Sequence, residues 1–228
     1  MSSTSDPRAT WAPRHVPLVL ASASSGRLTT LRNAGIEPTV VVSDVDEDAV
    51  VAAARAGGND LGPPDVALLL ARAKCEAVVA RAARSAIVLG CDSVLELAGA
   101  VHGKPVDAAE AVCRWLAMRG TSGVLHTGHW LVDDRDPRAG GTGATLGATA
   151  STTVHFAQLS DEEVETYVAT GEPLGAAGAF TIDGLGGPFV SAVEGDPHNV
   201  VGLSLPLLRG LLGDIAVRWF DLVAARHR

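Results

Sequence analysis

The apolar run Val16 to Ala21 stops at Ser22-Ala23-Ser24-Ser25-Gly26, after which Leu28 and Leu31 recur at helical spacing as far as Gly35. This pattern predicts a strand, a tight polar turn and a helix. Thr39 to Val42 is β-branched and runs into Ser43-Asp44-Val45-Asp46-Glu47-Asp48, so a second strand delivers carboxylates to a loop. Ala49 to Arg55 reads as helical until Gly57-Gly58-Asn59 breaks it. Pro63-Pro64 then opens a long helix from Asp65 to about Arg84, rich in Ala, Leu and Arg, with Lys74 at its middle.

Ile87 to Leu89, Gly90-Cys91-Asp92-Ser93 and Val94 to Leu97 predict a buried strand, a polar interruption holding Asp92, and a resumed strand. Ala98-Gly99-Ala100 turns the chain into an exposed loop at residues 101–105. Asp107 begins a helix with Val112, Trp115 and Leu116 on one face. Val124 to Val132 and Gly147 to Phe156 read as strands, and the Gly/Asp/Arg/Pro-rich join from Asp133 to Thr145 as a mobile hairpin loop. Ser160-Asp161-Glu162-Glu163 is a capping box for a helix ending near Ala169. Gly171 to Gly187 is glycine-rich, Phe189 to Val193 is a strand, and Leu205 to Val223 an amphipathic terminal helix. With no internal repeat, the expected organisation is a flexible segment over residues 1–15 and a single α/β domain over 16–228.

The chain has 228 residues, 47% hydrophobic and 19% charged, enough for one full core. Eighteen basic against 26 acidic residues leave a net charge of -8 without runs of one sign, which argues against a nucleic acid polymer as partner. Aromatics at 4% also make a base-stacking platform a poor expectation. No stretch approaches the roughly 18 apolar residues of a membrane span, and three cysteines without a CxxC point to a reducing, cytoplasmic setting. Cys75, Cys91 and Cys113 read as small core residues. Sixteen of the basic residues are Arg and only two are Lys, at Lys74 and Lys104, so a compact ammonium is either needed there or left by chance.

The turn from Ser22 to Arg27 can hold a phosphate on backbone amides and hydroxyls, or be ordinary turn chemistry. Asp46 and Glu47 offer oxygen ligands to a hard cation, or form a solvated loop. Asp92 is more pointed, because an unpaired carboxylate in an apolar strand is costly. Gly103-Lys104-Pro105 fixes an ammonium at a cleft edge or is a surface turn. No HxxxH, HxH or GxSxG occurs, which speaks against a zinc site and a serine nucleophile.

In order along about Leu18 to Leu208, these segments resemble the Maf family of nucleotide pyrophosphatases. Residues 20–27 resemble its LASxSPRR, residues 43–47 its SDVDE, residues 73–77 its AKAEA, residues 90–94 its GADTV and residues 103–105 its GKP. Residues 159–163 with Tyr167 to Pro173 resemble LSDEEIxxYVxTGEP, and residues 178–186 and 199–203 resemble GAYGIQGLG and NVVGLP. Both lysines fall on lysine positions of the family.

The resemblance implies an α/β fold similar to the Maf and inosine-triphosphatase-like proteins: a long twisted mixed sheet flanked by helices, two lobes around a central cleft, and often a homodimer. It implies hydrolysis of a nucleoside triphosphate between the α and β phosphates with Mg²⁺ or Mn²⁺. Ser22, Ser24 and Arg27 would hold phosphates, as would Lys74 and Lys104. Asp92 and Glu47 would serve the metal and the attacking water, with Asp92 as general base. The second arginine of the opening motif is absent at Gly26, the His of RTHEVYTG is replaced by Gly123, and the Gln of GIQG is Asp183, expected to meet the base or the water. IQG-type members act on dTTP and UTP and another branch on methylated guanosine triphosphates; the spacing here is closer to the first. The family's association with arrest of septum formation supplies a second expectation, a nucleotide-sensing regulatory protein with little turnover, which the absent arginine at Gly26 would favour.

Overall fold

A computed structural model describes residues 15–81 and 85–223. The N-terminal segment expected to be flexible, apart from His15, therefore lies outside the described residues, as does the predicted end of the long helix near Arg84. The elements in chain order are β1 (Leu18–Ala21), α1 (Ser25–Asn33), β2 (Thr39–Val40), α2 (Glu47–Ala56), α3 (Pro63–Arg81), β3 (Ile87–Leu97) and β4 (Ala100–His102). They continue with α4 (Ala108–Met118), β5 (Ser122–Asp133), β6 (Thr145–Phe156), α5 (Asp161–Ala169), β7 (Val190–Glu194), α6 (Pro197–Val201) and α7 (Leu205–Asp214).

The sheet runs β2-β1-β3-β5-β6-β7, with β4 added to the far end of β3. β1 is parallel to β2 and β3, and the remaining pairs are antiparallel. This is the mixed sheet flanked by helices that the resemblance implies.

Alternation along β3 sorts the chain into layers. Ile87, Leu89 and Cys91 face Leu31 of α1 and Leu208, Leu211 and Leu212 of α7, while Val88 faces Cys75 and Val78 of α3. Farther along, Leu95 and Leu97 join Trp115 of α4 in a second core with Phe156, Val164 and Tyr167. Trp115 is fully buried, meets Phe156, Tyr167 and Phe189 edge to face, and donates its indole N–H to Ala179 O at 2.7 Å.

Helix α3 lies very close to the sheet. A Cβ on Gly90 would sit 2.3 Å from Ala71 O and 2.8 Å from Cys75 Cβ, and one on Gly128 would sit 2.3 Å from Ala67 O. Small residues four apart on the helix, Ala67, Ala71 and Cys75, meet glycines on the strands, and it is the missing Cβ at Gly90 and Gly128 that leaves room for the approach.

Several expectations need correction. β3 is not interrupted at Asp92: its ladder with β5 continues through Cys91↔His129, Asp92↔Gly128 and Ser93↔Thr127. Polar side chains do not break a backbone ladder; what changes there is the other edge. β1 ends opposite Gly90 and β4 begins opposite Leu97, so residues 91–94 have no strand on that side. In α4 the buried face is Ala111, Arg114, Trp115 and Met118, and Leu116 is 40% exposed. Cys113 is exposed, although Cys75 and Cys91 are buried. The terminal helix stops at Asp214 in a Schellman turn, with Ala216 at φ +56°, Val217 N donating to Leu212 O and Ala216 N to Gly213 O. That turn sends Val217 and Leu222 back into the core.

The capping box of α5 forms as the sequence predicts, and Asp107 caps α4. The join between β5 and β6 folds around Asp133, whose buried carboxylate accepts from Arg135 Nε and Nη2, Thr142 N and Thr142 Oγ1 at 2.7 to 2.8 Å.

Candidate functional site

The edge gap beside residues 91–94, at the carboxyl end of β1, opens into a cleft of about 880 Å³. A crevice outside the carboxyl end of parallel strands is where open α/β sheets place ligands. Ser22, Ser24, Arg27, Glu47, Lys74, Asp92, Lys104 and Asp183 all line it, so one cavity gathers every residue to which the resemblance gives a role, from positions up to 161 residues apart, but not Asp46.

At its floor Lys74 Nζ lies 2.5 Å from Asp92 Oδ1 and 2.7 Å from Glu47 Oε1. Asp92 is buried and Glu47 exposed. Three elements bring these groups together. β3 supplies Asp92 on the face of Gly90, and α3, drawn in at that glycine, supplies Lys74. Glu47 is the first residue of α2, whose cap is Asp46: its Oδ1 accepts from Ala49 N at 3.0 Å. Asp46 therefore stabilises the helix that presents Glu47. The preceding loop is tied down by Arg81 of α3, which donates to Val42 O at 2.7 Å and Ser43 O at 2.9 Å.

Burial pushes the Asp92 carboxyl above its ordinary range; Lys74 and Arg27 pull it down and Glu47 pushes it up again. Oδ1 accepts from Lys74, and Oδ2 has no hydrogen-bond partner among the described residues.

Arg27 occupies the opposite wall and is almost fully engaged. Its Nε donates to Gly202 O at 2.7 Å, Nη1 to Ser22 Oγ at 3.0 Å and Nη2 to Ser93 Oγ at 3.0 Å. A guanidinium carries five N–H groups, so two remain for an anion in the cleft. Ser22 Oγ also accepts from Ser24 N at 3.1 Å, which leaves its own proton to donate. Ser24 is the N-cap of α1, accepting from Arg27 N at 3.4 Å, so the turn presents hydroxyls and a helix amino terminus together.

Behind Arg27 runs a hydroxyl relay that the motifs do not disclose. Thr127 Oγ1 donates to Asn199 O at 3.2 Å and lies 2.9 Å from Ser93 Oγ. Having spent its proton on the carbonyl, Thr127 must accept from Ser93, and Ser93 accepts from Arg27. The direction of every bond is thus fixed. Asn199 is pinned in turn by its Nδ2, which donates to Leu125 O and Thr152 Oγ1 at 3.0 Å. The only sequence signal was polarity at Ser93 and Thr127, shared with other polar residues of the same strands such as Glu96 and His126.

His129 extends this support. Its Nε2 receives the Ser204 N–H at 2.9 Å, so Nε2 is the unprotonated nitrogen and Nδ1 donates to Thr127 O at 3.0 Å. Burial lowers its pKa to about 4, so it is neutral.

Lys104 stands at the cleft edge, exposed, on a loop clipped from both sides. Gly103 O accepts from Gly178 N at 3.0 Å and from Arg114 Nη1 at 2.6 Å. Glu110, paired with Arg114, accepts from Val106 N at 2.8 Å. Asp183 reaches the cleft from the glycine-rich segment and is exposed. At Gly26, a Cβ would lie 3.1 Å from Val201 Cγ1, so α6 packs where a larger residue would begin.

The charged lining comprises four cations, Arg27, Arg55, Lys74 and Lys104, against six carboxylates, Asp44, Glu47, Asp48, Asp92, Glu172 and Asp183. Such a cleft suits an anion that brings or recruits a cation, not a bare polyanion.

A family model described as Maf-like protein matches residues 17–215. The proteins named nucleoside triphosphate pyrophosphatase in Salinispora tropica, Leifsonia xyli subsp. xyli and Streptomyces coelicolor are 57%, 51% and 51% identical to this chain. The alignments cover 87%, 90% and 91% of this chain and 83%, 95% and 94% of those proteins. With its sheet, its cleft and most of its length accounted for in this way, the chain belongs to the Maf family.

Proposed function

We propose that the chain is a metal-dependent nucleoside triphosphate pyrophosphatase, cutting the α–β phosphate bond to yield the monophosphate and pyrophosphate. The observation that carries this reading is the convergence, in one cleft, of a buried carboxylate with two ammoniums and a guanidinium. Arg27, with Ser22 and Ser24, holds phosphate oxygens at the α1 terminus, and Lys104 meets them from the opposite edge. Asp92 takes the proton of the attacking water. The water oxygen forms a bond to the α phosphorus, the bridging P–O bond breaks, and Lys74 and Lys104 meet the charge that gathers on the departing pyrophosphate.

Asp92 and Glu47 would hold a hard divalent cation, Mg²⁺ or Mn²⁺, since both are oxygen donors and both already meet one cation, the Lys74 ammonium. No cluster of three or more His, Cys, Asp or Glu suited to a metal occurs among the described residues, so substrate oxygens and water would complete its shell. When bound, that cation supplies charge neutralisation, which a lining of six carboxylates and four cations calls for with a substrate of about four negative charges. Lys74 would then turn from the carboxylates to the phosphates.

Asp183 is assigned to the base. Its ionised carboxylate accepts without donating, so base choice departs from that of an amide at this position. Three unpaired thiols suit a reducing cytoplasm, and no helix among the described residues is long and apolar enough to cross a membrane.

The test is pyrophosphate release by purified protein with Mg²⁺ or Mn²⁺ over canonical and modified nucleoside triphosphates, with Asp92→Asn as control. Release that the variant lacks supports the enzyme. Tight triphosphate binding without release would point instead to a nucleotide sensor, with Gly26, packed against Val201, as the reason.

A further inference from the structure

The segment from Thr181 to Gly186 brings Asp183 to the cleft, yet it is a run of turns with no strand ladder of its own. One carboxylate holds it. Glu172 Oε1 accepts from Tyr167 Oη at 2.9 Å, from Gly186 N at 3.0 Å and from Thr181 Oγ1, and Oε2 accepts from Leu185 N at 2.9 Å. The Tyr167 hydroxyl, having donated to Glu172, accepts from Thr181 N at 3.3 Å. Both ends of the segment are thereby fastened to a single side chain.

The packing leaves no room to slide. A Cβ on Gly184 would lie 2.5 Å from both Glu172 Oε2 and Thr181 Oγ1, and one on Gly186 would lie 2.4 Å from Tyr167 Oη. Burial alone would push the Glu172 pKa up, but the bonds from Thr181, Leu185, Tyr167 and Gly186 outweigh it and hold the carboxyl below its ordinary range. It is ionised at neutral pH and can accept from all four donors at once. Asp183, by contrast, takes no part in this network and is exposed.

We propose that Glu172 is a positioning residue for base selection: by fixing the 181–186 turn it sets the place from which Asp183 meets the base, and so favours bases with an exocyclic amino group. The proposal rests on the reading of Asp183 given above. A carboxylate held in one place rewards an N–H on the base edge and repels a carbonyl oxygen, whereas a wandering one does neither. CTP and UTP are the probes: cytosine carries an amino group at position 4 beside a bare N3, uracil a carbonyl oxygen there beside an N3–H, and a carboxylate facing position 4 favours the amino group over the oxygen.

The experiment measures kcat/KM for CTP and UTP, with thermal midpoints, in wild type, Glu172→Gln, Thr181→Val, Thr181→Ser and Asp183→Asn. Glu172→Gln and Thr181→Val are each expected to move the CTP/UTP ratio towards UTP by at least about fivefold, with Thr181→Ser restoring it. Asp183→Asn is expected to do the same, and combining it with Glu172→Gln to add nothing to the ratio. A lower midpoint with an unchanged ratio in Glu172→Gln and Thr181→Val would make the network purely structural and overturn the proposal. A shifted ratio in those two with none in Asp183→Asn would remove Asp183 from the base, overturning both that reading and the proposed route from Glu172 to base selection. If Glu172→Gln does not fold, the Thr181→Val and Thr181→Ser pair decides alone.

Discussion

Lys74 stands between two carboxylates, 2.5 Å from Asp92 and 2.7 Å from Glu47, and the two contacts differ in kind. The Asp92 side chain is 9% exposed and that of Glu47 51%, so Lys74 faces a desolvated charge on one side and a hydrated one on the other. Water screens the outer pair, whereas the inner one compensates a buried ion. Glu47 is therefore the partner that can part from the lysine at little cost.

Lys74→Ala is expected to lower turnover at least about tenfold through loss of charge on the departing pyrophosphate. It should also lower stability by about 3 kcal/mol, because Asp92 is left buried without its ammonium. Steady-state kinetics and thermal unfolding check the two effects. Normal kinetics would take Lys74 out of the reaction whatever its structural role.

Thr127→Val breaks the hydroxyl relay behind Arg27 without touching the cleft lining. Ser93 then loses its acceptor, and Arg27 a fixed anchor. Triphosphate KM is expected to rise about tenfold, the scale of one hydrogen bond to a charged group, with a smaller change in kcat. Thr127→Ser should restore both. An unaltered KM would show that Gly202 and Ser22 suffice to hold the guanidinium.

Gly90→Ala tests the close approach of α3. The added methyl would meet Ala71 O at 2.3 Å, so the helix must move, at a cost of roughly 1–3 kcal/mol and with loss of the Lys74–Asp92 contact. Gly210 in α7 is the control, since nothing lies within 4 Å of a Cβ there. Gly210→Ala should stabilise by about 0.5–1 kcal/mol through helix propensity and leave turnover alone. Equal effects at the two glycines would refute the packing argument.

Asp133→Asn probes acid stability. Burial raises the Asp133 pKa, but bonds from Arg135 and Thr142 outweigh it and bring it to about 2, below the ordinary value of 3.8. The folded protein thus holds this proton less tightly than the unfolded chain. The resulting stability, about 2 kcal/mol, is fully present above pH 4 and is lost as pH falls towards 2. In chemical denaturation from pH 6 to 2, the variant should be less stable at pH 6 and show a shallower loss below pH 4. Parallel curves would mean that Asp133 is not the group titrating.

The elements were legible where side-chain pattern and backbone state coincide. Asp107 and Ser160 are N-caps whose hydroxyl or carboxylate satisfies a backbone amide three residues on, a local requirement written into consecutive residues. Lys74, Asp92 and Lys104 stood out because charge is costly in apolar surroundings and lysine is scarce in this chain. Sequence failed where the deciding neighbour is remote. The face of α4 turned on which of Trp115 and Leu116 meets the aromatic cluster, and the strand through Asp92 continues because β5 pairs with it whatever its side chains are.

What the sequence by itself determined is most of the strands and helices in their order, though not β4 or α6, the motif set of the Maf family and the short list of charged groups from which a site could be made. Tertiary structure decided how they are wired: that Lys74 bridges Asp92 and Glu47, that Arg27 leans on Ser93, Thr127 and Asn199, and that Glu172 holds the turn bearing Asp183. The physical reason is range. Caps, propensities and periodicity act over a few residues, whereas a hydrogen bond between residues 66 or 175 positions apart exists only once the sheet has fixed its register and α3 has closed on Gly90.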